Sequence, residues 1–271
     1  MLQKTVLPLS LKEPQYKILN MLEATNDFGT RQVSLVHVQS SSKSGSKRRK
    51  KLLHIAQKIR DLGFECEIYF KSGYVASEVA SISLELEADF ISLLWRPKTA
   101  LRQALLGNVI TDTVRQSDVP VFIYKSPYYK SPRINLRNVL YATDFKRTDS
   151  RVMNYLMSEE FRANTLYLLH VGSRAPDPEA EEKRRAQVMQ NLSRLEAECS
   201  HAYNKIEKLQ SVGSAKNQIA HQAWKHNVDL IILGKFDQEV PFANLLGSVA
   251  EGVPHKAHCS VFIIPGIRKQ N

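Results

Sequence analysis

The chain repeats itself. Val6-Leu7, Val36-His37-Val38, Gly73, Asp89 and Gly107 return as Val139-Leu140, Leu169-His170-Val171, Gly213, Asp229 and Gly247. The offset is 133 residues for the early matches and 140 for the later ones. A constant register broken by one insertion means two copies of one folding unit. Half of 271 residues is an ordinary domain length, so each copy can bury a core of its own.

The second copy parses readily. Residues 138–143, 165–171, 206–212, 229–234 and 260–265 are short, apolar and rich in β-branched or aromatic side chains, and are expected to be strands. Helical stretches 150–161, 178–202, 215–226 and 248–257 alternate with them. In the longest, Glu179 with Lys183 and Glu181 with Arg185 stand four apart and would support an exposed helix face. The first copy follows the same plan, with strands at 5–11, 33–38, 65–70, 90–94 and 121–124. A serine-rich loop at 40–46 leads into a basic helix ending near Asp61.

Strands apolar on both faces and alternating with helices imply parallel sheets covered by helices. With right-handed crossovers, one common outcome is a five-stranded sheet of order 3-2-1-4-5. The expected fold is therefore α/β: two tandem open five-stranded parallel sheets with helices on both faces. The domains would be 1–125 and 135–271, joined by a linker at 126–134 (SPYYKSPR and its neighbour) whose two prolines suit neither helix nor strand.

Three cysteines, Cys66, Cys199 and Cys259, are far apart and form no CxxC pair, as suits a reducing cytoplasm. No apolar run approaches the ~20 residues of a membrane span. A soluble cytoplasmic protein without a membrane partner is expected. The net charge of +11 is lopsided, +8 over residues 1–134 and +3 over 135–271, and much of it sits in Lys47-Arg48-Arg49-Lys50-Lys51. Such a run can attract nucleic acid or acidic lipid; a solvated helix start is the plainer reading.

In an open sheet of this order the ligand crevice lies between the carboxyl ends of strands 1 and 4. In the second copy those ends are Asp144 and Gly234. From Gly234 the chain runs GKFDQEVPFANLLGS to Ser248. Gly247-Ser248 opens the last helix, where free backbone N–H groups and the helix dipole favour an anion. The loop 236–246 between them could close over phosphates.

These residues resemble the universal stress protein family, and the whole chain resembles its tandem members. The likeness rests on Ala142-Thr143-Asp144-Phe145, Leu169-His170-Val171, Asp229-Leu230-Ile231-Ile232-Leu233-Gly234, Gly247-Ser248-Val249-Ala250 and Cys259-Ser260-Val261-Phe262-Ile263-Ile264-Pro265. It is strong over 135–267 and diluted over 1–125. The resemblance implies an adenine nucleotide alpha hydrolase-like fold and an ATP-binding pattern of Gly, two residues, Gly, nine residues, then Gly with Ser or Thr. Gly234 fills the first place and Gly247-Ser248 the last, while Asp237 replaces the middle glycine. Asp144 matches the acid near the adenosine, Val171 the residue meeting the base through its backbone, and Val249 and Ala250 positions near the phosphates.

Asp237 is the main departure. Aimed at a phosphate from 4 Å it would cost about 1 kcal/mol in water-like surroundings and about 4 in an intermediate dielectric, roughly a five-fold to thousand-fold loss of affinity. Turned outward it costs nothing, and it could instead hold Mg²⁺ against the phosphates. The first copy keeps less: Leu11 is expected at the strand-1 acid, Leu94 at the first glycine and Pro97 at the second, with Gly107-Asn108 closing. Its site is read as degenerate.

His37 and His170 are expected to be hydrogen-bonded residues of the fold, and His255, His258 and Cys259 lack the further ligands of a metal centre. Neither a G-x-S-x-G elbow nor a GxxxxGK[ST] loop is present, so no catalytic residue is assigned. Strand 5 of each copy, Val121-Phe122-Ile123-Tyr124 and Val261-Phe262-Ile263-Ile264, is an apolar edge, and the copies are expected to pair through them as an intramolecular pseudo-dimer. The favoured function is a nucleotide-responsive stress regulator acting on an unidentified protein partner. A scaffold using its basic patch for nucleic acid or an acidic partner ranks second, and a slow ATP hydrolase third.

Overall fold

The computed structural model describes residues 2–39, 45–95, 109–125, 136–145, 149–235 and 248–266. The chain divides into two compact units, Met1–Ile134 and Asn135–Asn271. The first contains β1 (Lys4–Pro8), α1 (Gln15–Asn26), β2 (Gln32–Gln39), α2 (Gly45–Asp61), β3 (Glu65–Ser72), α3 (Val75–Glu85), β4 (Phe90–Leu94), α4 (Val109–Gln116) and β5 (Val121–Tyr124). The second contains β6 (Asn138–Thr143), α5 (Asp149–Leu156), β7 (Thr165–Gly172), α6 (Pro178–Cys199), β8 (Lys205–Val212), α7 (Ala215–Lys225), β9 (Leu230–Lys235), α8 (Ser248–Lys256) and β10 (Ser260–Pro265). The strand orders are β3-β2-β1-β4-β5 and β8-β7-β6-β9-β10, the expected 3-2-1-4-5 in both, with parallel pairing throughout the described ladders. Within the first unit α1 packs on α2 and α3 on α4, and the second repeats this with α5 on α6 and α7 on α8.

The central strands are buried along most of their length, as parallel strands under two helical layers must be: Phe90 and Ile91, and Leu230, Ile231 and Ile232, have no solvent exposure. Full burial of each such side chain contributes about 1.5–3 kcal/mol. The recurring aspartates have a structural role. Asp89 Oδ2 accepts from the backbone N–H of Lys4 at 2.8 Å, and Asp229 Oδ2 accepts from those of Arg137 and Asn138 at 2.9 Å. Each carboxylate satisfies amides at the start of the central strand, which sets its register.

That register corrects the sequence alignment. Thr5 pairs with Phe90 as Val139 pairs with Leu230, so strand-1 residues correspond at an offset of 134, not 133. Ser10, not Leu11, therefore stands where the second unit has Asp144. Leu11 corresponds to Phe145, and both adopt left-handed backbone, with φ of 64° and 59°. This turn also explains why β1 stops at Pro8 and does not reach residue 11.

Two helices end three or more residues before their periodicity predicts. The stretch 150–161 breaks into α5 and a 3₁₀ turn, Glu159–Phe161. Ser158 Oγ donates to the Tyr155 carbonyl at 2.8 Å, and the buried Tyr203 hydroxyl donates to the carbonyl of Leu156 at 2.9 Å. Side chains thus take over carbonyls that a longer helix would have used itself. Helix α6 ends at Cys199, three residues short of the expected end.

The equivalent helices α2 and α6 begin with opposite chemistry. Asp177 caps α6 by accepting from Ala180 N–H at 2.8 Å, Pro178 follows it, and Glu179 and Glu181 occupy the first turn. Helix α2 has no acidic residue in its first turn and carries Lys47, Arg48, Arg49, Lys50 and Lys51 there and just beyond. A charge near a helix terminus is worth about 0.3–1 kcal/mol, favourable for the acids of α6 and adverse for the bases of α2.

Candidate functional site

The crevice of the second unit opens where the chain leaves β6 for β7 on one side and β9 for β10 on the other. Ala142 pairs with Leu233, so Gly234 comes level with Thr143, one residue before Asp144. On the opposite side Thr143 pairs with His170, the last pair of that ladder, one residue short of Val171. Asp144, Val171 and Gly234 therefore lie at the carboxyl ends of three adjacent strands, Asp144 just past β6 and the other two one residue before the last of β7 and β9. Asp144 is exposed, and Val171 and Gly234 are half-buried. Strand β9 continues one residue past Gly234, to Lys235.

Helix α8 starts at Ser248, with Val249 half-buried and Ala250 buried behind it. Asp237, Gly247 and the loop 236–246 lie outside the described residues, as do the linker 126–134, Pro97 and Gly107-Asn108. Helix α8 packs on β9 and β10, which brings it against β9, one of the two strands that flank the crevice.

Two residues to which the sequence assigned no role at the site shape the rim. Thr143 Oγ1 accepts from Phe145 N–H at 2.8 Å, which holds the left-handed turn just after Asp144. The Phe145 ring then lies flat on His170, with centroids 4.5 Å apart and planes 18° from parallel. His170 Nδ1 is 3.0 Å from the Thr143 carbonyl, and His37 Nδ1 is 2.8 Å from that of Leu9 at the matching place. Both histidines tie strand 2 to the end of strand 1. No local pattern announces a left-handed phenylalanine, so this turn was not legible beforehand.

Beside Val171, a cleft of about 410 Å³ lies between the start of α6 and the end of β8, lined among others by Arg174, Asp177, Glu181, Arg184, Arg185 and Gln210. The expected Glu181–Arg185 pair is not what forms. Arg184 makes two bonds to Glu181, Nη2 to Oε1 at 2.7 Å and Nε to Oε2 at 2.9 Å, while the Arg185 carbonyl accepts from Gln210. The Arg184 bonds and the Ala175 N–H hold the Glu181 carboxyl down at about 2. The Glu179–Lys183 pair forms as expected, at 2.5 Å. A Cβ on Gly172 would meet Arg184 Nη1 and His170 Nε2 at 3.3 Å, so β7 ends on a glycine that lets both approach.

Among the described residues no group of three His, Cys, Asp or Glu side chains is placed to hold a metal ion, and no helix is long and apolar enough to cross a membrane.

Comparison with known proteins agrees with this architecture. The model of the universal stress protein family matches residues 12–125 and again 135–265. A sequence search among curated proteins finds no match. Among solved structures, a universal stress protein from Archaeoglobus fulgidus DSM 4304 superposes with a TM-score of 0.73 at 22% identity, covering 98% of this chain and 97% of that one. A protein of unknown function from Pseudomonas aeruginosa PAO1 superposes at 0.70 with 15% identity, covering 97% of this chain and 93% of its own. At these identities the structures speak for the fold. The chain belongs to the universal stress protein family, as two tandem copies of its domain.

Proposed function

We propose that the protein is a stress-response regulator whose second unit holds ATP or a related adenine nucleotide in the crevice between β6 and β9. The observation that carries this reading is the convergence of Asp144, Val171 and Gly234 on three adjacent strand ends, with α8 the next described element after β9. The residues present fit such a ligand. Gly234 brings no side chain to the rim, Asp144 is exposed for a ribose hydroxyl, and the end of the β6–β7 ladder leaves the Val171 backbone facing the crevice.

In this reading Gly247, Ser248, Val249 and Ala250 receive the phosphates at the start of α8, where backbone N–H groups lack partners within the helix. Asp237 either turns away or shares Mg²⁺ with the phosphates. Binding would set the conformation of residues 236–246 and so alter the surface offered to a protein partner. Nothing in the crevice is assigned as a general base, and the nucleotide acts as an effector.

Equilibrium dialysis of the full chain with labelled ATP, with and without Mg²⁺, tests the proposal. Saturable binding that Gly247→Val abolishes is the expected result. Absence of saturable binding in both conditions, or binding indifferent to Gly247→Val, overturns it.

A further inference from the structure

We propose that the first two turns of α2 bind the phosphate backbone of a nucleic acid. Residues 45–51 are all exposed, and the first buried side chain of the helix is Leu52. Five consecutive cations at 3.6 residues per turn encircle the axis and do not form one stripe. Among the described residues Lys47, Arg48, Arg49 and Lys50 have no hydrogen-bond or ion-pair partner. Lys51 alone is engaged, donating from Nζ to the Leu11 carbonyl at 2.6 Å, which fixes the basic turns at the carboxyl end of the first unit's sheet.

The helix gains nothing for itself from this arrangement. Its first acidic residue is Asp61, at the far end, so the cations face the positive pole of the helix with no neutralising neighbour. A departure from local rules without a local gain marks a surface shaped for a partner. An anion supplies what is missing, since it pairs with the guanidinium and ammonium groups and is favoured at the positive pole of the helix.

The distribution of charge selects among polyanions. A helix that lies in a membrane interface needs an apolar face alongside its basic one. Residues 45–51 carry no apolar side chain, and the half-exposed Leu53 is a single residue, 49% exposed, beyond the basic turns. Cations on every side suit a groove whose two walls are lined with phosphates. Such contacts position without reading bases, so binding is expected to be indifferent to sequence.

Fluorescence anisotropy of the full chain with a fluorescein-labelled 30-base-pair DNA tests this. Four phosphate contacts predict that affinity falls roughly 150-fold between 50 and 200 mM salt. Arg48→Gln and Arg49→Gln should each lower the magnitude of the log–log salt slope by about one. The combined variant Lys47→Gln/Arg48→Gln/Arg49→Gln/Lys50→Gln should lose binding with unchanged helical circular dichroism. Poly-glutamate and vesicles of phosphatidylserine and phosphatidylcholine serve as rival partners. Binding absent at 50 mM salt, a salt slope unmoved by the single variants, or tighter binding to either rival overturns the proposal.

Discussion

The two units share one sheet order and one set of strand-end contacts, yet they present different residues at the same place. Where the second unit has Asp144 and Gly234, the first has Ser10 and Leu94. Where the second starts its long helix with a cap and acids, the first starts with five bases. The histidine-to-carbonyl tie, the aspartate clamp and the left-handed turn persist in both. The comparison separates two kinds of requirement. What holds the sheet together is kept in both copies, and what would meet a ligand differs.

Exchanging residues between units is the sharpest way to break this comparison. Gly234→Leu gives the second crevice the side chain of the first, and nucleotide affinity should drop about a hundredfold or more, equivalent to ~2.7 kcal/mol. The reciprocal Leu94→Gly should create no binding, because Ser10 supplies no carboxylate. Dialysis of both variants with labelled ATP checks the pair, and a site gained in the first unit would show that one side chain alone separates the copies.

The thiols report on the folding of each unit separately. Burial pushes Cys66, in the first, up to about 11 and Cys199, in the second, up to about 12. At pH 8 alkylation of the native protein should run roughly a hundredfold or more slower than in urea. Because these thiols are held protonated in the fold, their contribution to stability is complete below about 9 and is lost as pH rises through 11 to 12. Mass spectrometry of the alkylated peptides during urea titration would show which unit opens first.

Smaller effects are expected at the shared clamps. Asp229→Ala leaves the amides of Arg137 and Asn138 without their acceptor and should cost about 1–3 kcal/mol, and Asp89→Ala a similar or smaller amount for the single amide of Lys4. Urea midpoints measured through the two thiols should move in the unit that carries the substitution. Least of all should be Glu181→Gln. The Glu181 carboxyl is held below its ordinary value, so its contribution is present above about 4.5 and fades as pH falls toward 2. Acid titration followed by circular dichroism should show a slightly shallower loss in the variant over that window.

How far the sequence reached follows the physics of each element. Strands 90–94, 121–124, 138–143 and 260–265 were legible to the residue, because buried parallel strands are short apolar runs between polar punctuation. The break after Leu156 was not, because Tyr203, 47 residues away, makes it. Pairing of Glu181 with Arg184 over Arg185 also depends on tertiary surroundings, with Ala175 and the β8 end deciding which arginine turns inward. The misplaced equivalence of Leu11 arose because apolar identity in β1 fits two registers equally well, and only the pairing with β4 distinguishes them. Asp144 and Gly234 were found because their place at strand ends follows from topology, while the turn at Phe145 is a backbone choice that its side chain does not advertise.

The central claim is that one crevice, in the second unit, holds an adenine nucleotide. Isothermal titration of the full chain with ATP tests it most directly, through the stoichiometry. One site per chain is expected, lost in Asp144→Ala and retained in Ser10→Ala. Two sites per chain, or a single site that survives Asp144→Ala and disappears with Ser10→Ala, would contradict it.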